Sequence, residues 1–232
     1  MSQFVLGRAK AQMVKAMEEY YNAIQVNIQF SGSDLKVITV TSVHPSEGKS
    51  TTSTNLAISF ANAGYRTLLI DADIRNSVMT GTFKADEAYH GLTSYLSGHV
   101  HLRDIIHSTS EENLHIIPAG QVPPNPTTLL QNPRFESMIE VVRQNYDYVI
   151  VDTPPIGLVV DAAIVAQKTD GSILVTESGA ISRRFVKKAV DQMEQSGAQF
   201  LGVILNKVDT TKDKYGSYGS YGAYGNYGKQ TK

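Results

Sequence analysis

The stretch that most constrains the fold is residues 42–51, which read SVHPSEGKST. An apolar run precedes this stretch and a helix-like run follows it. A strand that leads into a turn of small residues, and then a helix that opens with Gly-Lys-Ser, is typical of a P-loop. The reason is that consecutive backbone N–H groups and the positive end of the helix must converge on one phosphate. The sequence therefore predicts a strand, a phosphate-binding turn and a helix, in that order.

Each residue of this turn has an expected role. Lys49 would contact the β- and γ-phosphates of a nucleotide, and the Ser50 hydroxyl would bind Mg²⁺. Val43 occupies the position of the first glycine in the usual pattern, so an ordinary strand-to-helix turn with Ser50 near the N-cap is the alternative. The other residues expected to contact the nucleotide here are Ser46, Glu47, Gly48 and Thr51.

Composition indicates a globular chain. It has 232 residues, of which 41% are hydrophobic and 19% charged, enough to bury a core as one domain. A net charge of −1 gives no general basic field, so no nucleic-acid partner is expected. Cysteine is absent, and no apolar run reaches the roughly 18 residues that a spanning helix needs, so we expect a cytoplasmic protein.

Strand-like and helix-like segments alternate along most of the chain, which predicts an α/β fold with a mostly parallel sheet flanked by helices. Residues 74–125 are less regular, with a short helix expected at 91–96 and a loop at 123–126. Helices are expected at 10–28, 132–145, 161–167 and 183–196, and strands at 37–41, 67–73, 114–117, 146–152, 173–176 and 200–206.

Carboxylates stand at the ends of two of these strands. Asp71 and Asp73 follow an apolar run, and side chains two apart on an extended segment share a face, so both are expected to face the P-loop crevice. Together they could serve a metal ion or act as a general base. Asp152 ends another apolar strand just before a proline pair, and it is expected to hold Mg²⁺ directly or through water.

The last strand runs into Asn206-Lys207-Val208-Asp209. An Asn-Lys-x-Asp string recognises guanine in GTPases, so GTP is an alternative ligand. Asn206 could equally face adenine.

The composition changes sharply at residue 211. Tyr-Gly recurs with a period of three, and four lysines against one aspartate give the segment 211–232 a charge of +3. It is too poor in aliphatic residues to bury a core, so it is expected to be disordered. Its tyrosines are Tyr215, Tyr218, Tyr221, Tyr224 and Tyr227.

Taken together, the P-loop string, Leu-Leu-Ile-Asp-Ala-Asp-Ile-Arg, Val-Ile-Val-Asp-Thr-Pro-Pro and the terminal tyrosine cluster resemble the bacterial tyrosine kinase (BY-kinase) family, in its stand-alone form from capsular and exopolysaccharide systems. The resemblance implies a P-loop NTPase-like fold. It also implies Walker A residues Lys49, Ser50 and Thr51, Walker A′ residues Asp71 and Asp73, and Walker B residue Asp152.

The activity that follows is transfer of the ATP γ-phosphoryl group to tyrosine, foremost to the five tail tyrosines. Lys49 and Mg²⁺, the latter held by Ser50, Asp73 and Asp152, would neutralise charge, and Asp71 would accept the phenol proton. The expected domains are a helical segment at 1–35 that could form a subunit contact, the kinase domain at 36–210 and the tail at 211–232. Expected partners are a membrane polysaccharide co-polymerase that recruits the chain to the inner face of the membrane, a cognate tyrosine phosphatase and further copies of the chain.

Two departures from the family pattern stand out. Ser46 occupies a position that usually holds glycine, which predicts a tighter or strained loop. Glu19, Asn22 and Gln25 occupy an oligomerisation motif usually written Glu-x-x-Arg-x-x-Arg, so a ring assembly is in doubt. Two other functions remain open. One is a partitioning-type ATPase switch, whose signature lysine would fall at His44; the other is a GTPase switch that uses Asn206 and Asp209.

Overall fold

A computed structural model describes residues 3–209. The five tail tyrosines, and the disorder expected of 211–232, lie outside the described residues. The strands are β1 Gln3–Leu6, β2 Val37–Ser42, β3 Thr67–Asp71, β4 Phe83–Ala85, β5 His107–Thr109, β6 Leu114–Ile117, β7 Tyr148–Asp152, β8 Gly171–Glu177 and β9 Gln199–Asn206. The helices are α1 Arg8–Ser31, α2 Lys49–Asn62, α3 Leu92–Leu96, α4 Pro126–Leu130, α5 Pro133–Asn145, α6 Asp161–Ala166 and α7 Arg183–Glu194.

The strands form one sheet in the order β4-β1-β5-β6-β3-β7-β2-β8-β9. All neighbouring pairs are parallel except β1 with β4 and β5 with β6. The predicted α/β class, with a mostly parallel sheet, is confirmed. Because β2 lies between β7 and β8, the P-loop after β2 has β3 on one side and β9 on the other.

The central strands are buried on both faces, which explains their continuous apolar character. All six residues of β2 and all five of β3 are buried. One side of the sheet packs against α5, through Phe135, Met138 and Ile139. The other side packs against α2, which carries Leu56 and Phe60, and beyond it against α1. The sheet core therefore fixes the P-loop and the carboxyl ends of β3 and β7 relative to one another.

The helix predicted at 10–28 extends over Arg8–Ser31 in the structure. Tyr21, Gln25 and Ile28 form its buried stripe, and the opposite face is exposed, with Phe30 85% exposed. No helix within residues 3–209 is long and apolar enough to cross a bilayer. The division of the chain near residue 35 stays a prediction, and β1 on its N-terminal side pairs with β4 and β5 of the common sheet.

Four elements escaped the sequence analysis: β1, β4, β5 and α4. Each is only three to five residues long, too short for the period of two or of 3.6 to be recognised. The loop expected at 123–126 overlaps the start of α4, where Pro126 occupies the first turn. Proline is favoured there because the missing N–H has no helical partner in any case.

Candidate active site

The P-loop lies where the sequence predicted it, between β2 and α2. Gly48 precedes α2 with φ 97°, and Ser46 has φ 65°. Among the described residues, the backbone N–H groups of 46–50 have no hydrogen-bond partner in the protein, and several belong to the first turn of α2. Unpaired N–H groups at a helix N-terminus attract anions. The loop therefore presents a concave set of donors to a phosphate.

Gly48 is required by geometry as well as by its dihedral angle. Besides the positive φ, a Cβ at this position would lie 2.1 Å from Nδ2 of Asn206. A side chain at position 48 would therefore displace the Asn206 amide from its place against the loop.

Lys49 is the central cation of the site. Its ammonium lies 2.8 Å from a carboxylate oxygen of Asp73 and 3.6 Å from one of Asp152. Burial by itself would lower the pKa of Lys49, but the charges of Asp152 and Asp73 outweigh it and the pKa is raised. Lys49 is therefore charged at neutral pH.

Asp152 is held by two hydroxyls of α2. Ser50 Oγ donates to one carboxylate oxygen at 2.6 Å, and Ser53 Oγ donates to the other at 3.0 Å. Burial raises the pKa of Asp152, whereas Lys49 and the serine hydroxyls oppose that rise. A hydroxyl and a carboxylate in contact beside the phosphate loop are hard oxygen donors of the kind Mg²⁺ prefers.

No group of three or more His, Cys, Asp or Glu side chains within residues 3–209 forms a ready metal site. An Mg²⁺ site of the P-loop type does not require such a group, because that ion usually takes one or two carboxylates together with substrate phosphates and water. The three predicted ligands lie around Lys49 and fit such a site: Ser50 and Asp73 line the cavity above the P-loop, and the buried Asp152, which does not line it, contacts Ser50 and Lys49.

Asp71 lies beneath the site. It is fully buried, accepts a very short hydrogen bond from Ser77 Oγ and accepts another from the Asp73 backbone N–H. Burial and the nearby charge of Asp152 raise the pKa of Asp71 to about 8, although the Ser77 hydroxyl opposes the rise. At neutral pH, without ligands, Asp71 therefore carries a proton.

The two Walker A′ carboxylates differ in access. Asp73 lines the cavity beside Lys49, and Asp71 is not among the lining residues. The expectation that both face the crevice is therefore wrong for this conformation. Its premise was an extended segment through residue 73, but β3 ends at Asp71, so strand alternation does not govern the direction of the Asp73 side chain.

A cavity of about 470 Å³ opens above the P-loop. Ser46, Gly48, Lys49, Ser50, Thr51, Asp73 and Asn206 of the predicted site line it. Strand order places Asp73 and Asn206 at opposite ends, since β3 and β9 lie on opposite sides of β2. The cavity thus has a carboxylate end and an amide end, with the phosphate loop between them.

Asn206 holds the P-loop from the amide end. Its Nδ2 donates to the carbonyl oxygen of Glu47 at 2.9 Å. This bond uses one of the two Nδ2 hydrogens, so the other N–H and the Oδ1 acceptor remain for a ligand.

Glu47 does not present its side chain to the cavity. The side chain is buried, and its carboxylate accepts from the backbone N–H groups of His44 and Glu177 and from Thr176 Oγ1. Its predicted role in nucleotide binding therefore rests on its backbone. No local pattern indicates that this glutamate braces the loop against β8.

Sequence reasoning also missed a group at the carboxylate end. Arg75 pairs with the buried Asp161, with Nε 2.7 Å from the carboxylate, and both side chains bond Thr127 Oγ1. Arg75 lines the cavity together with Met13 and Met17 of α1. The position of Arg75 directly after Asp-Ala-Asp-Ile was the available signal; nothing local indicates that α1 reaches the cavity.

The residues of the altered oligomerisation motif differ in their exposure and contacts. Glu19 is exposed, Gln25 is buried, and the Asn22 side chain accepts a hydrogen bond from Ser59 Oγ of α2 at 2.8 Å. Gln25 therefore lies in the protein's own core, and Asn22 joins α1 to α2 through one hydrogen bond at an exposed position.

Comparison with known proteins gives a consistent result. Residues 35–195 match a protein-family model described as an AAA domain. The chain is 59% identical over 208 residues to "Tyrosine-protein kinase CpsD" of Streptococcus agalactiae serotype III (strain NEM316), with 90% of each chain covered.

Solved structures are similar in fold. The kinase domain of Escherichia coli tyrosine kinase ETK matches with a TM-score of 0.78 and 33% identity, covering 86% of this chain and 80% of that one. The septum site-determining protein MinD from Pyrococcus horikoshii, complexed with Mg-ADP, matches with a TM-score of 0.63 and 25% identity, over 74% and 70% of the two chains. The similarity to the kinase is therefore greater in identity, coverage and fold.

Proposed function

The chain belongs to the bacterial tyrosine kinase family, and from that premise we propose that it transfers the γ-phosphoryl group of ATP to protein tyrosines. Its proposed substrates are the tail residues Tyr215, Tyr218, Tyr221, Tyr224 and Tyr227 of its own chain, in a system that makes capsule or exopolysaccharide. The observation that carries the proposal is the buried Lys49, paired with Asp73 and Asp152 beside a loop of unpaired N–H groups.

The reaction breaks the bond between the γ-phosphorus and its bridging oxygen to the β-phosphate, and forms a bond from the tyrosine oxygen to phosphorus. Catalysis of this kind consists mainly of positioning and charge neutralisation. The N–H groups of residues 46–50 bind the phosphates. The Lys49 ammonium stabilises the negative charge that develops between the β- and γ-phosphates. When bound, Mg²⁺ supplies a second positive charge there, held by Ser50, Asp73 and Asp152.

The phenol proton is proposed to pass to Asp71. For this role Asp71 must first lose its own proton, because its pKa of about 8 keeps it protonated at neutral pH. It must also give up the hydrogen bond that it accepts from Ser77. Asp73 lines the cavity and is the alternative base, since it needs no such rearrangement. The two carboxylates can be distinguished by kinetics, as described in the Discussion.

Adenine is the proposed base. With Nδ2 of Asn206 bound to the Glu47 carbonyl, Oδ1 accepts from an exocyclic amine. Adenine carries an amine at C6 that would donate to Oδ1, whereas guanine carries a carbonyl oxygen there, to which the second Nδ2 hydrogen could donate. Asn206 can therefore contact either base, and it is the similarity to tyrosine kinases that supports ATP and disfavours the GTPase alternative.

The partitioning-type ATPase alternative is also disfavoured. The match to a kinase domain exceeds the match to MinD in identity, coverage and TM-score. His44 stands at the place of that class's signature lysine. The Mg-ADP of the MinD structure supports Mg²⁺ as the companion ion, because the two proteins share the fold of the phosphate site.

The proposed partners follow from the family. A membrane polysaccharide co-polymerase would act as activator and recruit the chain to the inner face of the membrane, a tyrosine phosphatase would reverse the reaction, and copies of the chain would associate through the region 1–35. The altered Asn22 and Gln25 weaken the case for a ring, because Gln25 is buried in the protein's own core and Asn22 is hydrogen-bonded to Ser59 of α2.

One assay tests the activity itself. Purified full-length protein is incubated with Mg²⁺ and either ATP or GTP, and phosphotyrosine is detected by antibody and located by mass spectrometry. We expect ATP-dependent phosphotyrosine in the segment 211–232. Hydrolysis of ATP with no phosphotyrosine formed would instead support the ATPase alternative.

A further inference from the structure

The P-loop contains a strained residue. Ser46 has φ 65°, in the left-handed region that non-glycine residues adopt at a cost. Three non-glycine residues within 3–209 have positive φ: Ser46, Asn113 and Lys207. Two of them, Ser46 and Lys207, are hydrogen-bonded to each other.

The bond runs from the side chain of Lys207 to the backbone of the loop. Lys207 Nζ donates to the carbonyl oxygen of Ser46 at 2.9 Å and also lies 2.7 Å from a carboxylate oxygen of Glu177. Glu177 and Asn206 are paired neighbours at the ends of β8 and β9, and Ser178 N–H bonds the Asn206 carbonyl. The ammonium is therefore anchored on the sheet and not on another part of the loop.

The bond fixes the direction of a peptide group. With the Ser46 carbonyl held toward Lys207 and the Glu47 carbonyl held by Asn206 Nδ2, both oxygens point to the end of β9. The N–H groups of the same segment have no partner among the described residues and remain available to phosphate. Rotation of either peptide would place a carbonyl oxygen where an anion must bind.

We propose that Lys207 is a positioning residue that holds the strained Ser46 peptide in its phosphate-binding conformation. The proposal rests on the proposed function, because it assigns Lys207 to nucleotide binding at the same P-loop. Glu177 orients the ammonium. The Lys207 side chain, which lies outside the loop, would thus stabilise the left-handed backbone conformation of Ser46.

A competing account assigns Lys207 to the nucleotide directly, since it also lines the cavity. A third account treats the Lys207–Glu177 pair as an ordinary surface ion pair, because the side chains are 48% and 32% exposed. The three accounts differ in one respect. Only a restraint that acts through the Ser46 backbone is made unnecessary by a glycine at position 46, since glycine adopts positive φ without cost.

The test is a double-mutant cycle on the full-length protein with Lys207→Met, Ser46→Gly and the double variant. Two readouts are measured: the Kd of Mg·ATP by direct binding, and KM and kcat of autophosphorylation. We expect Lys207→Met to raise Kd and KM about fivefold with little change in kcat, because the group acts on binding geometry. In the Ser46→Gly background, the same substitution should change Kd less than about twofold.

Two further variants sharpen the result. Lys207→Arg keeps a donor that can reach both oxygens and should restore Kd to near the wild-type value, whereas Glu177→Gln should raise Kd by less than Lys207→Met does. Lys188→Met, which removes an exposed lysine from α7, is the matched control for loss of one positive charge. Circular dichroism melts show whether each variant is folded; if Lys207→Met is not, the comparison of Glu177→Gln with and without Ser46→Gly replaces it.

An unchanged Kd in Lys207→Met would overturn the proposal, as would an equal rise in both backgrounds, which would place the ammonium on the nucleotide itself. The binding readout separates this proposal from the kinase assignment. If the protein binds Mg·ATP but forms no phosphotyrosine, the Kd values of the four variants still measure the coupling between positions 46 and 207.

Discussion

The ammonium of Lys49 lies 2.8 Å from the carboxylate of Asp73, and these side chains are only 11% and 6% exposed. This buried ion pair can be replaced by contacts with a bound nucleotide. An incoming phosphate can bind the lysine, and the carboxylate is then available to bind a cation. The site thus keeps its charges nearly balanced before the nucleotide binds.

Replacing Lys49 with methionine is expected to abolish phosphoryl transfer. The substitution removes the ammonium that contacts Asp73 and Asp152, and loss of a preorganised charge typically costs about a hundredfold or more in turnover. Phosphotyrosine is measured by antibody, and circular dichroism checks the fold. Lys188→Met serves as the control, and phosphotyrosine at wild-type level in Lys49→Met would remove Lys49 from the mechanism.

ATP is expected to bind more tightly than GTP. Asn206 is half-buried, and a base that covers its Oδ1 without donating to it would leave an unpaired acceptor, which costs about 1–3 kcal/mol. Competition binding against a fluorescent ATP analogue measures the preference, and Asn206→Ala should reduce it by removing the acceptor. GTP binding as tightly as ATP to the wild type would contradict the assignment of the base.

Replacing Asp71 with asparagine should lower turnover far more than nucleotide binding. Asparagine keeps the size and the hydrogen-bonding capacity but removes the basic oxygen, and a general base typically contributes about 10²- to 10⁴-fold. Asp73→Asn is the paired variant, expected to weaken Mg·ATP binding because Asp73 contacts Lys49 and lines the cavity. If Asp71→Asn destroys binding while Asp73→Asn lowers only kcat, the two roles must be exchanged.

The same residue predicts a pH dependence of stability. The folded-state pKa of Asp71, about 8, lies above its ordinary value of 3.8. A raised carboxyl pKa contributes stability that is present below about pH 4 and is lost as the pH rises through 8. In EDTA without nucleotide, Asp71→Asn should therefore gain stability relative to the wild type between pH 5 and 8.5, by at most about 1.4 kcal/mol per pH unit.

Thermal melts at several pH values measure this gain. Glu112→Gln, which removes an exposed carboxylate, should show no such trend and controls for net charge. A difference between Asp71→Asn and wild type that stays constant, or that shrinks with rising pH, would show that Asp71 is ionised in the folded protein.

The tail is expected to be phosphorylated between molecules. A Lys49→Met chain with an intact tail is mixed with an active chain truncated after Thr211, so that a label on the inactive chain can come only from its partner. Each phosphate adds about −1.5 to −2 charges, so five phosphates would take the +3 segment to about −5 to −7. We expect assemblies to form before phosphorylation and to dissociate after it.

The outcome is read by mass spectrometry of Tyr215, Tyr218, Tyr221, Tyr224 and Tyr227, and the assembly state by size-exclusion chromatography with light scattering. An unlabelled tail on the inactive chain, while the wild type labels itself, would indicate transfer within one molecule.

Much of the site follows from local sequence. Continuous apolar runs predicted the buried central strands, and Asp71 and Asp152 were placed at strand ends because parallel strands present their carboxyl ends at one edge. The Gly-Lys-Ser opening of α2 identified the phosphate loop, since its function depends on consecutive backbone groups of one short segment. Patterns of this kind depend only on residues that are close together in the sequence, so they can be recognised without knowing how the chain packs.

Tertiary structure decided what those residues contact. Sequence periodicity put Asp71 and Asp73 on one face, but β3 ends at Asp71, and the fold buries Asp71 while it leaves Asp73 in the cavity. Likewise, Asn206 and Lys207 suggested a guanine reader, yet the parallel pairing of β9 with β8 sets them on the carbonyls of Glu47 and Ser46, about 160 residues earlier in the chain. Contacts across such separations depend on strand order and register, which only the folded sheet determines.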